Sequence, residues 1–486
     1  MQKRTKSRAG KRLVYAAAVV LVQTAIFSQA FLYAARKRPQ DFTRNRKMPF
    51  TDMIVFMLNG VKTSIQTGLD RFFERIGKED VHMSQQAFSQ AREKVHWEAF
   101  KDLSPPLVNA IYECYYDTWH GYRVSAIDGS KVQLPDDQKL RDYFGTIGKK
   151  STAATAQGSA LYDVLNKVLI DTRIEPMSTG ERKLAQMHID ALRKLPSFDK
   201  ELIIFDRGYP SFELIESLTG CGISFLMRVR EKFNNDIDAK PNGDHQGILL
   251  QKKGHEGIPL RVIKFDLPSG ETETLITDIT DTHVGIQAFK ELYFARWPIE
   301  TKFDEIKNKL QVENFSGRTV NAVKQDFYIT MYMSNVVAVA CWEAQEDVDE
   351  ERALKDNKYV YHTNVSHAVG TLKDRFIEAL LEHNPRKRSK KASRILYLLK
   401  YNKRNGTLFT GVTSDIVKRV FEHKSKFVEG FTTKHGVDKL GYYEIHDCVV
   451  SAIEREKSIK GGSRKSKMAL IEGMNPDWED LYDSII

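Results

Sequence analysis

Apolar positions return along this chain with two different periods. From about residue 41 to 120 they recur every three to four positions, which predicts helices. Ser84 caps one of these, with Phe88, Ala91 and Val95 facing inward and Gln86, Gln90, Arg92 and Lys94 on the other side, a face that suits hydrogen bonds to base edges or phosphates and suits a plain solvated surface equally. From Tyr122 to about Phe212 strands and helices alternate. Val124-Ser125-Ala126-Ile127 and Leu202-Ile203-Ile204-Phe205 read as buried strands that run into Asp128 and Asp206. A β-rich stretch at about 213–290 follows, with turns at Asn242-Gly243, Gly254, Pro259 and Ser269-Gly270 and alternation in Leu260-Arg261-Val262-Ile263-Lys264-Phe265. Helices resume near Thr282 and run to about Asn384. One of them opens at Pro298 and buries Ile299, Phe303, Ile306 and Leu310. Residues 385–394 are rich in Arg and Lys and read as a basic linker. Beyond it, from 395 to 486, the texture changes to strand, turn, helix, then more strands and helix.

The first 40 residues read as an N-terminal extension with two open interpretations. Residues 13–35 carry no charge and lie between Lys11-Arg12 and Arg36-Lys37-Arg38, which suits a membrane span, and Ser28-Gln29-Ala30 resembles a signal-peptidase site. Gln23, Thr24, Ser28 and Gln29 interrupt the run, which suits a helix of a soluble protein.

Composition narrows the class. A chain of 486 residues exceeds one ordinary core, so several domains are expected. The 74 Lys and Arg outnumber the 64 Asp and Glu, and the net charge of +10 suits a polyanionic partner such as double-stranded DNA. Cys114, Cys221, Cys341 and Cys448 are scattered without metal-binding spacing, which fits a reducing, cytoplasmic setting and excludes an evident structural zinc site.

Three carboxylates from distant stretches then change the picture. Asp128 and Asp206 lie in or at the ends of apolar runs, and Glu300 sits on the helix opened by Pro298. Carboxylates are the hard ligands that two divalent metal ions prefer when they act on a phosphodiester. Glu300 and Lys307 fall about 20° apart on that helix at 100° per residue. A surface Glu–Lys arrangement produces the same spacing.

The run Tyr293-x2-Arg296-x3-Glu300-x6-Lys307, with Asp128 in Ala126-Ile127-Asp128-Gly129-Ser130 and Asp206 in Phe205-Asp206-Arg207-Gly208-Tyr209, resembles the Tyr-Arg-Glu-Lys signature of bacterial insertion-sequence transposases of the DDE class. The resemblance covers about residues 31–394. It implies an α+β multidomain protein: a helical DNA-binding domain at 41–120, and at 121–384 an RNase H-like mixed sheet flanked by helices and carrying the β-rich insertion. It also implies that Asp128, Asp206 and Glu300 ligate Mg2+, with Mn2+ as a substitute. Water would then cut the transposon end, and the freed 3′-hydroxyl would attack target DNA. Arg296 and Lys307 would hold phosphates and Tyr293 would brace the same end. Trp297 could stack on an extruded base, although a packed core indole suits that position better. A homodimer holding paired DNA ends, associated with the nucleoid, is the implied assembly.

Residues 395–486 resemble a small bacterial GIY-YIG endonuclease domain. The matching text is Asn402 to Asp415, Arg419-Val420-Phe421-Glu422-His423-Lys424, Ala452-Ile453-Glu454-Arg455-Glu456-Lys457 and Asn475-Pro476-Asp477-Trp478. The resemblance implies Tyr397, Arg419 and His423 as catalytic groups and Glu456 as ligand to a single Mg2+. Phe409 replaces the tyrosine of the second motif, and Tyr397 lies one residue upstream of the usual spacing, with Tyr401 a poor substitute. Two rival readings therefore stand beside the transposase: an endonuclease centred on the second domain, and a DNA-binding fusion without catalysis.

Overall fold

The computed structural model describes residues 14–44, 46–60, 64–114, 116–148, 153–195, 200–267, 271–296, 298–353, 363–401, 408–424, 437, 440–446, 448–475 and 481–484. It divides into two compact units, residues 1–401 and 402–486.

The first unit is built on one mixed sheet of eight strands: β1 Arg123–Gln133, β2 Thr155–Asp163, β3 Val168–Pro176, β4 Glu201–Phe205, β5 Ser224–Val229, β6 Gly243–Leu250, β7 Ile258–Asp266 and β8 Thr272–Thr277, in the order β3-β2-β1-β4-β5-β8-β7-β6. β1, β2 and β3 pair antiparallel, while β4 lies parallel to β1 and β5 parallel to β4. These five strands form the core of the sheet, with the mixed pairing expected of it. Helices Glu181–Leu192 and Phe212–Gly220 make the connections into β4 and β5.

The insertion is narrower than its composition implies. β5 and the helix before it belong to the core, because Phe225, Leu226 and Met227 are buried as in a strand covered on both faces. The added part is β6, β7 and β8 with a short helix, and it lengthens the same sheet through antiparallel pairing of β8 with β5.

The helices of 41–120 are part of the same unit and form no separate domain. Phe56 packs edge-on against Phe72 and Phe88, while Trp97 stacks on Tyr328 of the long helix Val320–Ala353. The N-terminal run is a core helix, Val14–Ile26, with Tyr15, Ala18, Val19, Val22 and Ile26 buried. Two of its polar interruptions, Gln23 and Ser28, have partners. Gln23 donates to the carbonyls of Leu380 (2.6 Å) and Glu382 (3.0 Å), and Ser28 accepts from Phe31 N to start the next helix, Gln29–Ala35. Among the described residues no single helix is long and apolar enough to cross a membrane.

Residues 385–394 are not an extended linker. They open the helix Pro385–Tyr401, where Asn384 Oδ1 accepts from Arg386 N and Lys387 N and the apolar positions Ala392, Ile395 and Leu399 are buried. The second unit contains, among its described residues, the helices Ile416–Lys424, Val449–Gly461 and Arg464–Met474 and a 3-10 turn at Leu481–Ser484.

Candidate active site

Register brings the two aspartates together. The parallel ladder between β1 and β4 ends at the pair Ala126–Ile204. Two residues further along each chain, Asp128 and Asp206 occupy equivalent positions on adjacent paths, Asp206 just past the end of β4. Parallel neighbours are roughly 4.8 Å apart, so carboxylates at equivalent positions are close. Asp128 Oδ1 accepts from Gly129 N (2.8 Å), and Asp206 Oδ1 accepts from the Tyr293 hydroxyl (3.0 Å). Burial pushes the Asp128 carboxyl up to about 6. The Gly129 amide and the Arg296 guanidinium oppose that rise, and Glu300 and Asp206 add to it.

Glu300 lies in the first turn of the helix Pro298–Asn308. Arg296, nearly buried, donates to Glu300 Oε1 at 2.9 Å, and among the described residues its Nε has no hydrogen-bond partner. Burial raises the Tyr293 hydroxyl well above its ordinary value, and the nearby Asp206 charge raises it further. Lys307 ties the same helix to β1 by donating to the Lys131 carbonyl at 2.7 Å, and it lies 3.9 Å from Glu313. Trp297 lies outside the described residues.

Among the described residues no three His, Cys, Asp or Glu side chains converge as a ready metal cage. The donor set nevertheless fits divalent cations. It offers hard carboxylate oxygens, two set side by side by strand register, and Asp128 sits in an environment that disfavours its charge until a cation is near.

Two further carboxylates belong to this neighbourhood. Glu181, exposed at the start of the helix Glu181–Leu192, has Oε2 3.4 Å from where Gly208 would carry a Cβ and Oε1 3.9 Å from the equivalent point at Gly129. Its signal in the sequence is indirect: a glycine follows Asp128 immediately and Asp206 two positions on, leaving room for a side chain from elsewhere. Glu273, buried on β8, lies 3.6 Å from Arg228. Burial pushes its carboxyl above the ordinary value, and Asp206 and Arg296 are among the charges it senses. No spacing rule could have linked it to this site, because the link is the pairing of β8 with β5.

The helix Gln85–Arg92 does not present the side chains expected of it. Arg92 is buried and donates to Gln325 Oε1 (2.9 Å), Ser316 Oγ (2.6 Å), Asp326 Oδ1 (2.8 Å) and the Ala322 carbonyl (3.2 Å). Its guanidinium holds the helix to the rest of the unit and is withdrawn from any DNA. Gln86 and Gln90 are exposed, and Lys94 is half-buried beyond the helix end.

In the second unit, Arg419 lies in the first turn of its helix, and the His423 ring meets Phe409 edge-on at 5.5 Å. Glu456 pairs with Lys460 one turn on. Glu444, to which sequence reasoning gave no role, accepts from Arg455, Tyr442 and His446. Arg455 first, then Tyr442, pull its carboxyl down to about 2. Tyr397 belongs to the helix Pro385–Tyr401 of the first unit, not to a strand. His435 lies outside the described residues.

Residues 119–336 match the family described as transposase DDE domain, and residues 394–469 match the GIY-YIG catalytic domain. A putative transposase, InsZ, of Escherichia coli (strain K12) is 25% identical over 153 residues, 30% of this chain and 50% of that protein. A UPF0213 protein of Staphylococcus saprophyticus is 34% identical over 76 residues, 16% of this chain and 90% of that protein. A cryo-EM structure of the piggyBac transposase synaptic complex with hairpin DNA aligns at 13% identity with a TM-score of 0.42, covering 83% of this chain and 89% of that one. The chain spans half or less of the length of the curated transposases it matches.

Proposed function

Residues 119–336 match the transposase DDE family and residues 394–469 the GIY-YIG catalytic domain, and from that premise we propose that the chain cuts the ends of a transposable element and joins the freed 3′-hydroxyl to target DNA. The observation that carries the reading is the β1–β4 register, which sets Asp128 beside Asp206, with Glu300 held near them through Arg296. Asp128, Asp206 and Glu300 are the residues that would hold Mg2+ or Mn2+. Such ions, when bound, offset charge on the phosphodiester and activate the attacking oxygen.

The chain's own groups have distinct tasks. Tyr293 fixes the direction of the Asp206 carboxylate. Arg296 keeps a positive charge beside all three acids, the charge that would meet a phosphate there. Lys307 keeps the Glu300 helix against β1. Duplex DNA is the partner that the +10 net charge suits. Two copies would hold the paired ends, in the cytoplasm at the nucleoid.

The test compares the parent chain with Glu300→Ala and Glu456→Ala in Mg2+- or Mn2+-dependent nicking and strand joining on DNA carrying the element's flanking ends. Loss with Glu300→Ala alone is expected, by a factor of at least about a hundred. Loss with Glu456→Ala alone would move the chemistry to the second domain, and an inactive parent would leave a DNA-binding fusion.

A further inference from the structure

A chain of buried polar groups ends on the backbone of Asp128. His188 Nδ1 lies 2.8 Å from Asp171 Oδ2, and its Nε2 lies 2.9 Å from Ser159 Oγ. Ser159 Oγ donates in turn to the Asp128 carbonyl at 3.1 Å. Serine, histidine and aspartate in this order have the composition of a hydrolytic triad. Ser159 is only 2% exposed within β2, however, and His188 is fully buried, so no substrate reaches the hydroxyl. The role of this chain must be sought in what it holds.

Counting protons assigns each contact. An ionised carboxylate only accepts, so His188 Nδ1 carries a proton for Asp171. The single Ser159 proton goes to the Asp128 carbonyl, which leaves Ser159 Oγ to accept from a second proton on His188 Nε2. All the contacts are therefore satisfied together only by an imidazolium. Asp171 is suited to hold it. Burial would raise its carboxyl, but the hydrogen bond and charge of His188, with Arg173 and Lys101, outweigh burial and keep it below its ordinary value.

The other charged neighbours do not replace that pairing. Arg173 donates to the same Asp171 oxygen at 2.6 Å and to the Met187 carbonyl at 3.1 Å. Glu175 and Tyr328 lie around Lys101 and Asp171. The location also matters, because β1 loses its β4 partner after Ala126, two residues before Asp128.

We propose that His188 is a positioning residue for the catalytic centre: held as an imidazolium by Asp171, it turns the Ser159 hydroxyl onto the Asp128 carbonyl and fixes β1 where the ladder to β4 has ended. The functional part of this inference rests on Asp128 being a metal-bearing carboxylate. A neutral ring with its proton on Nδ1 would draw the Ser159 proton to Nε2 and release the carbonyl.

The experiment uses the full chain labelled with 15N-histidine, with His188→Gln to assign the signals. Near neutral pH both ring nitrogens of His188 should carry protons, and a single N–H would overturn the relay. Calorimetry of Mn2+ binding without DNA supplies the second readout. Ser159→Ala should weaken Mn2+ binding roughly tenfold with a melting temperature within a few degrees of the parent, and Ser159→Thr should restore it. Unchanged affinity in Ser159→Ala would overturn the positioning role. A parent chain that binds no Mn2+ would instead overturn the reading of the site, and the ring protonation would still decide the relay.

Discussion

Arg92 shows how a residue's surroundings decide between two readings that the sequence leaves equal. On a helical wheel it shares the polar face with Gln86 and Gln90, where a solvated side chain and a DNA contact look alike. In the fold its guanidinium has four oxygen acceptors on the segment from Ser316 to Asp326. Removing it strands Asp326 and Gln325, so Arg92→Ala is expected to lose about 3 kcal/mol of stability. Arg92→Lys should not rescue the variant, because an ammonium cannot reproduce the fork. Chemical denaturation checks this. A variant with parental stability but weakened DNA binding would return Arg92 to the recognition role. The placing of Asp128 and Asp206 was legible for the opposite reason: each interrupts or ends an apolar run that forms a strand, Asp128 within β1 and Asp206 just past β4. Glu181 and Glu273 were not, because their relation to Asp128 and Asp206 arises from folding and leaves no spacing in the chain.

At the scale of elements, the helix Val14–Ile26 is the part that sequence rules served least well. Its apolar residues suit a membrane or a core equally, and only its partners decide. Tyr15 N, in its first turn, donates to Glu343 Oε1 at 2.6 Å, so a carboxylate from the helix Val320–Ala353 satisfies an amide at its start. Burial pushes Glu343 up to about 7 from an ordinary value of 4.5, against the pull of the Tyr15 and Val14 amides. The folded chain thus holds this proton more tightly than the unfolded chain does. Its contribution to stability is complete below pH 4.5, declines as pH rises, and is gone above about 7. Glu343→Gln keeps the acceptor and removes the titration. The variant should therefore gain on the parent by on the order of 2 kcal/mol between those limits, as followed by melting temperature against pH. A constant difference across that range would contradict it. The strands β1 and β4 and the turn-rich insertion were readable from period and turn residues. The place of β5 was not, because a strand's sheet neighbours are long-range choices. Only the first part of the helix at 385–401 was hidden by its charge run, since Ser393 to Leu399 already reads as a helical sequence.

Across the whole molecule, an excess of ten positive charges supports attraction to a polyanion and says nothing of sequence preference. DNA affinity is accordingly expected to fall linearly on a logarithmic plot against salt, and a slope near zero would remove phosphate contacts as the main attraction. The same unit also closes over great distances along the chain. Tyr15 meets Glu343 across 328 positions, and Gln23 meets Leu380 across 357. A ribosome adding roughly 5–20 residues per second takes on the order of tens of seconds to cover that interval. Throughout it, the helix Val14–Ile26 has left the exit tunnel with only part of its cover, the helix Ser104–Cys114, already made. The rest of its apolar face is therefore open to chaperones and to neighbouring nascent chains until the helices between Val320 and Tyr401 follow.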